Sequence, residues 1–379
     1  MFTERIARWL GRSSATNGIN QPEGLECVIS SDIGLVRSEN QDLIAAIRVN
    51  TPANVGKPFF ALALLDGMGG MQNGKECAVS ALSTFFYSLI RYRGDTLELR
   101  LHNATIEANS CVYELAQGQG GATLSAVIIE NGANPVTVNV GDSRIYSHNI
   151  EGGLNAISND DSLEALGGHG KGLLQFLGMG DSIKPHITTL KDDHEKVIVT
   201  SDGTHSISHD AFEEILNNTP NILTSARRIS EYVRWCGAKD NASLGILNCD
   251  SIKNNLKNHK DIGVEIWDPY GNLHIMWMKN YPAGQNYFSQ NTVDENEKDR
   301  TLPNQEENSP DNEKKEQFIS DDKKNPQGDL FPGNTKAVEN PKTKRQYRSK
   351  RVKNKTQIEK KDDQTVIIDI NDGDEINEK

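Results

Sequence analysis

Apolar residues along this chain gather into short unbroken runs, and three of those runs end at an aspartate beside a glycine. Phe59 to Leu65 is wholly apolar and leads into Asp66-Gly67-Met68-Gly69-Gly70. A short run bounded by turn signals reads as a strand buried on both faces. Lys196 to Thr200 leads through Ser201 into Asp202-Gly203, and Val136 to Val140 leads into Gly141-Asp142-Ser143-Arg144. One Asp-Gly pair is an ordinary turn between strands. Three distant strands each delivering an aspartate at a glycine form a constellation. A carboxylate at the end of a buried strand needs a partner, and a cation is one candidate. Glycine beside it leaves room for a backbone carbonyl to approach an ion.

The same patterning predicts the other elements. Strands fall at Leu25 to Ile29, Leu43 to Val49 and Ala242 to Leu247, after a loose segment through Glu23. From Glu76 to Arg93, Val79, Leu82, Phe85, Phe86, Leu89 and Ile90 recur at helical spacing. A second helix runs from Asp95, read as its N-cap, to about Ala116. Two further helices fall near Ala211 to Leu216 and Thr224 to Cys236. Adjacent helices flanked by strands imply a helical layer on a sheet. Ala122 to Ile129 and Val136 to Val140 form a hairpin, and residues 151–185 make a glycine-rich flap or loop.

Beyond Cys249 the texture changes. Val264 to Trp267 and Leu273 to Trp277 flank Asp268-Pro269-Tyr270-Gly271, a hairpin expected to pack on the domain edge. From about Gln285 polar and charged residues dominate, and such a composition buries too little apolar area to offset ordering entropy. The predicted organisation is an N-terminal segment 1–23, a core domain 24–250, a hairpin extension 251–284 and a disordered charged tail 285–379. Within the tail, a basic run from Lys342 to Lys361 precedes the apolar Val366 to Ile370. The run reads as solvated; the apolar segment could add as a strand to a partner's sheet edge.

The formal net charge of -12 over 379 residues argues against a nucleic-acid partner and suits hard divalent cations. Five cysteines without Cys-x-x-Cys pairing favour a reducing, cytoplasmic setting. No apolar run approaches a membrane span. The patch Phe2 to Leu10, with Arg5, Arg8 and Arg12 nearby, reads as a helix docking on its own domain, with a membrane surface or partner as the alternative.

Six blocks stand in a fixed order: Asp32-Ile33-Gly34 with Arg37 and Asn40-Gln41-Asp42; Asp66 to Gly70; Gly121-Ala122-Thr123-Leu124; Gly141 to Tyr146; Ser201-Asp202-Gly203; and Asp240-Asn241-Ala242. With these blocks the chain resembles the bacterial metal-dependent protein serine/threonine phosphatases of type 2C, the PPM family, over about residues 24–250. The resemblance implies a four-layer α/β/β/α sandwich in the α+β class, two antiparallel sheets flanked by helices. It implies two Mn²⁺ or Mg²⁺ ions, with a third weaker one. By resemblance, Asp66 bridges the pair, the Gly67 carbonyl ligates one ion, and Asp202 and Asp240 hold the other. Asp42 holds the bound water, and Asp142 with Asp202 serves the third ion.

The chemistry that follows is hydrolysis of phosphoserine and phosphothreonine by direct attack of a metal-activated water. Arg37 grips the phosphate with its planar fork, unless it is an ordinary surface ion pair. The implied partners are phosphorylated proteins and a cognate kinase, with the chain a monomer and the tail free to bind a protein. The alternatives are a catalytically silent module binding phosphorylated partners and a hydrolase of small phosphoesters.

Several positions depart from the family pattern. Met68 stands where animal relatives carry histidine. The flap blocks are reduced to Ile157-Ser158-Asn159-Asp160-Asp161-Ser162 and Gln175-Phe176-Leu177-Gly178. After Asp202-Gly203 stand Thr204 and, two residues on, Ser206, and His205 is either a proton donor at the site or a plain loop residue.

Overall fold

The computed structural model describes residues 2–51, 56–68, 73–149, 151, 153–165, 167–168, 172–191, 195–258, 262–278 and 362–369. Gly69, Gly70, His169, His194 and the basic run 342–361 lie outside the described residues, as does most of the predicted tail. Met1–Tyr281 with Glu359–Lys379 forms one unit and Pro282–Ile358 a second.

In chain order the first unit contains α1 (Phe2–Leu10), β1 (Asn17–Asn20), β2 (Cys27–Asp32), β3 (Asp42–Asn50), β4 (Phe59–Asp66), α2 (Gly74–Arg91) and α3 (Leu97–Ala116). Then come β5 (Leu124–Glu130), β6 (Val136–Val140), β7 (Arg144–Asn149), β8 (Gly153–Ala156), β9 (His186–Thr189) and β10 (Lys196–Thr200). The rest are α4 (Asp202–His205), α5 (His209–Asn217), α6 (Ile222–Trp235), β11 (Ala242–Asn248), α7 (Cys249–Asn258), β12 (Gly263–Asp268), β13 (Gly271–Met278) and β14 (Asp362–Asp369).

The strands build two sheets, ordered β1-β2-β11-β10-β7-β8 and β14-β13-β12-β3-β4-β5-β6-β9. β4 shows why they stack. Its Phe60, Leu62 and Leu64 join Cys27, Ile29, Val197, Val199 and Leu247 between the sheets. The alternate residues Phe59, Ala61, Ala63 and Leu65 pack under α1, α2 and α3. On the far side Val28, Ile198 and Ile246 meet Phe212 of α5 and Ile229 and Val233 of α6. A strand with both faces covered needs an apolar residue at every position, which is the unbroken run read from the sequence.

Several details differ from the sequence reading. Asn17–Asn20 is a short edge strand on β2, not a loose segment. The α3 N-cap is Thr96, whose side chain accepts from the Leu99 amide; Asp95 instead accepts from Asn103 Nδ2 at 3.2 Å. α7 was not foreseen, although Cys249, Ile252 and Leu256 carry its spacing into the layer between the sheets. The extra hairpin does lie at the edge, extending the larger sheet beyond β3, and there Val264, Ile266, Leu273 and Ile275 join the core under the helices. α1 docks on its own domain through Ile6, Trp9 and Leu10.

The larger sheet also departs from the all-antiparallel expectation. β14 runs parallel to β13, in register from Gly271 opposite Asp362 to Met278 opposite Asp369. A parallel partner needs a long connection, and the chain between these strands supplies one. The segment read as a strand for a partner's sheet is added to the chain's own edge.

Gly245 faces the layer between the sheets, where an added Cβ would stand 2.8 Å from Leu62 Cδ2 and 2.9 Å from Val199 Cγ2. Gly245→Val should therefore lower unfolding free energy by about 2 kcal/mol through overpacking. A urea titration followed by tryptophan fluorescence checks this.

Candidate active site

The strand ends converge at one rim of the sandwich. β3 and β4 are register partners, with Asp42 opposite Asp66. The Asp66 amide donates to Thr123 Oγ1 at 2.9 Å, and Thr123 Oγ1 lies 2.7 Å from Ser143 Oγ, so Asp66 is tied to the Gly141-Asp142-Ser143 turn. The Gly67 amide donates to the Gln41 carbonyl at 3.1 Å. A Cβ on Gly67 would stand 2.4 Å from the Gly74 carbonyl oxygen, so only glycine lets α2 start directly behind Asp66.

The other sheet delivers two more acids. Asp202 opens α4 at the end of β10, and Asp240 precedes β11. A Cβ on Gly203 would stand 2.0 Å from the Asn241 carbonyl oxygen and 3.4 Å from Asp240 Cβ, which locks the two turns together. Asn241 braces the loop bearing Arg37: its Nδ2 donates to the Ile33 and Glu39 carbonyls at 2.9 and 3.0 Å, and its Oδ1 accepts from the Gln41 amide at 2.9 Å.

Asp42 is held from behind. Ser201 Oγ accepts from the Ser243 amide at 2.9 Å, so its own proton points to Asp42 Oδ2 at 2.7 Å. Ser243 Oγ lies 2.8 Å from Ser31 Oγ, which accepts from Asn40 Nδ2 at 2.8 Å. The remaining Asp42 oxygen, Oδ1, is buried and has no hydrogen-bond partner among the described residues.

The electrostatics record the crowding. Burial, then the charges of Asp202 and Asp240, push the Asp42 carboxyl up to about 7 against the opposing hydrogen bond of Ser201 and the nearby Ser243 hydroxyl. Asp66 keeps some solvent exposure, yet burial of its carboxyl raises its pKa well above the usual range. Asp42, Asp202, Asp142 and Asp240 add to the effect. Arg37 sits among them with Nη2 2.7 Å from Asp240 Oδ2. That bond holds the guanidinium charged, with Asp66 and Asp202 contributing.

The structure thus brings Arg37, Asp42, Asp66, Gly67, Asp142, Asp202 and Asp240 into one electrostatic neighbourhood. As the side chains lie, no group of three or more His, Cys, Asp or Glu among the described residues is close enough to hold an ion. Asp240 is turned to Arg37. The donor set still fits a hard divalent cation: all oxygens, an excess of negative charge, and a buried carboxylate oxygen without a protein donor. It does not fit zinc, which prefers nitrogen and sulfur ligands.

His205 does not stand free at the site, since its Nδ1 lies 3.0 Å from Thr200 Oγ1. The altered flap blocks are anchors. Arg144 grips Asp160 through Nε at 3.0 Å and Nη2 at 2.7 Å. Asp161 accepts from the Gly141 amide at 2.9 Å and from Gln175 Nε2 at 2.7 Å, and its Oδ1 meets His186 Nε2 at 2.7 Å. Sequence reasoning missed the supporting roles of Thr123, Ser201, Asn241 and Ser243. The first three stood inside the motif blocks as small hydrogen-bonding residues beside the acids, which was the available signal.

The sandwich is shared with the serine/threonine phosphatase Stp1 from Staphylococcus aureus, at 20% identity over 62% of this chain and 98% of that chain, with a TM-score of 0.52. A bacterial serine phosphatase matches at 19% identity over 59% of this chain and 98% of that chain, with a TM-score of 0.50. At such identities the likeness shows the fold. No family model and no curated protein matches the chain.

Replacing the buried Thr123 by valine removes the acceptor for the Asp66 amide and the partner of the buried Ser143. Thr123→Val should cost about 1–3 kcal/mol for the groups left unsatisfied. Thermal unfolding of the two proteins side by side measures it.

Proposed function

We propose that this chain is a metal-dependent phosphoprotein phosphatase acting on phosphoserine and phosphothreonine. The observation that carries this reading is the convergence of five aspartates from both sheets on one rim, with Arg37 beside them. Bound there, two Mn²⁺ or Mg²⁺ ions would acidify a water and offset phosphoryl charge. Asp66, the Gly67 carbonyl, Asp202 and Asp240 would hold them, and Asp142 with Asp202 a third.

Asp42, fixed at Oδ2 by Ser201, orients the attacking water as a hydrogen-bond acceptor. Arg37 is half exposed, so its fork can exchange Asp240 for two phosphate oxygens. That exchange also releases Asp240. Met68 offers no proton, so the leaving alkoxide takes its proton from solvent.

A peptide substrate is favoured over a small phosphoester by the surface around Arg37. Leu35 and Val36, 58% and 70% exposed, lie beside it and offer apolar contact to an extended chain. The silent-module reading is disfavoured because all five acids are kept at one rim and the flap is anchored. The setting we assign is the cytoplasm, with a protein kinase supplying the substrate; all five cysteines are free, and among the described residues no helix is long and apolar enough to cross a membrane.

Turnover of a phosphothreonine peptide should require Mn²⁺ or Mg²⁺ and disappear with chelator. Asp66→Asn should reduce it on the order of 10³-fold or more while the protein stays folded. Adding Mn²⁺ should raise the parent's Tm and leave the variant's unchanged. Parental turnover by Asp66→Asn would overturn the assignment.

A further inference from the structure

Against Asp42 lies a cavity of about 30 Å³ whose lining includes Arg12, Asn40, Asp42, Lys75, Asp268 and Tyr270. Two of these bring a buried polar atom with no hydrogen-bond partner among the described residues, Asp42 Oδ1 and the Tyr270 hydroxyl. The hydroxyl is near enough to Ser31, Ser14 and Asn40 to feel them, without a bond of ordinary geometry to any. Leu10, Leu43, Ile44 and Pro269 complete the wall, and a space of this size with two polar atoms facing it accommodates one water, which needs two or more polar partners.

The tyrosine is held in place with unusual thoroughness for a turn residue. Asp268 Oδ1 accepts from the Tyr270 and Gly271 amides at 2.9 Å each, which shapes the turn between β12 and β13. Arg12 clamps the same carboxylate, with Nη1 2.7 Å from Oδ2 and Nη2 3.0 Å from Oδ1. Asn20 Nδ2 donates to the Asp268 carbonyl at 2.8 Å. A Cβ on Gly18 would stand 2.6 Å from the Tyr270 ring, so β1 crosses directly against it. Two polar atoms without a partner among the described residues, one water-sized space and a clamped ring thus meet at Asp42.

We propose that this cavity is an internal water site, and that Tyr270 is a positioning residue which fixes Asp42 Oδ1 through that water. Ser201 fixes the other oxygen, so the carboxylate is restrained at both ends. Each carboxylate oxygen has two lone pairs, which leaves Oδ1 one direction for the rim. Hydrogen-bond partners behind a working ligand hold its orientation, and losing one costs activity without touching the substrate. The β12–β13 hairpin and the segment after α1 thereby become part of the catalytic apparatus. The inference rests on the proposed role of Asp42.

The test uses the full chain and Tyr270→Phe, which keeps the ring and removes the hydroxyl. The expected result is a fall in kcat of about tenfold, with KM for the phosphopeptide, the half-saturating Mn²⁺ concentration and Tm unchanged. Parental kcat in a folded Tyr270→Phe would overturn the proposal. If that variant fails to fold, a high-resolution crystal structure of the parent decides. A water within hydrogen-bonding distance of both Asp42 Oδ1 and the Tyr270 hydroxyl supports the proposal, and a dry cavity overturns it. Absence of any turnover by the parent would sink the phosphatase reading, and the crystallographic arm would still test the water site.

Discussion

Five carboxylates brought to one rim repel one another, and the rest of the structure is arranged to hold them there. Asp42 and Asp66 are forced together by strand register, since β3 and β4 pair over most of their length and cannot slip without turning every side chain to the wrong face. Asp202 and Asp240 are brought together by glycine: the turn at Gly203 packs so closely on Asn241 that a larger residue would separate them. In the protein by itself the main compensation is Arg37, bonded to Asp240 and feeling Asp66 and Asp202. The raised pKa values of Asp42 and Asp66 express what remains uncompensated. Uncompensated negative charge on oxygen-rich walls is what a bound cation would relieve.

Such a site also needs stiffness, because acids that repel would otherwise rotate apart. The stiffness comes from small polar side chains whose hydrogen bonds have a forced direction. Ser201 must donate to Asp42 because it already accepts from the Ser243 amide. Thr123 couples Asp66 to the Asp142 turn, and Asn241 couples Asp240 to the loop of Arg37. These contacts join both sheets, so the acids are braced against one another. That is the preorganisation an electrostatic catalyst requires.

The aspartate constellation was legible because its signal is local: an apolar run, an acid, a glycine. Both faces of β4 are buried, and the sequence states this directly in its unbroken run. What was hidden depends on partners far along the chain. The β1 edge strand has no apolar alternation and is defined by its pairing with β2. α7 lies where the texture changes, so its Ile252 and Leu256 fell in the hairpin extension 251–284 rather than in the core domain. The direction of β14 could not be read at all, because parallel or antiparallel pairing is decided by the path of the connection and not by the strand. Asp240 was foreseen as a ligand and Arg37 as a phosphate clamp; that the two pair with each other is a property of the folded site.

The flap shows how a departure from pattern can mislead. Asp160 and Asp161 replace the expected flap sequence and suggest decay when only residue types are compared. In space they do a definite job: Arg144 binds one, and the other gathers the Gly141 amide, Gln175 and His186. Gly141 directly precedes Asp142, so the flap is fastened to the backbone that carries a site acid. A decayed flap would have no reason to keep four donors converging on one side of that turn. These residues therefore argue for a site that is still held in shape, through Asp160 and Asp161 themselves.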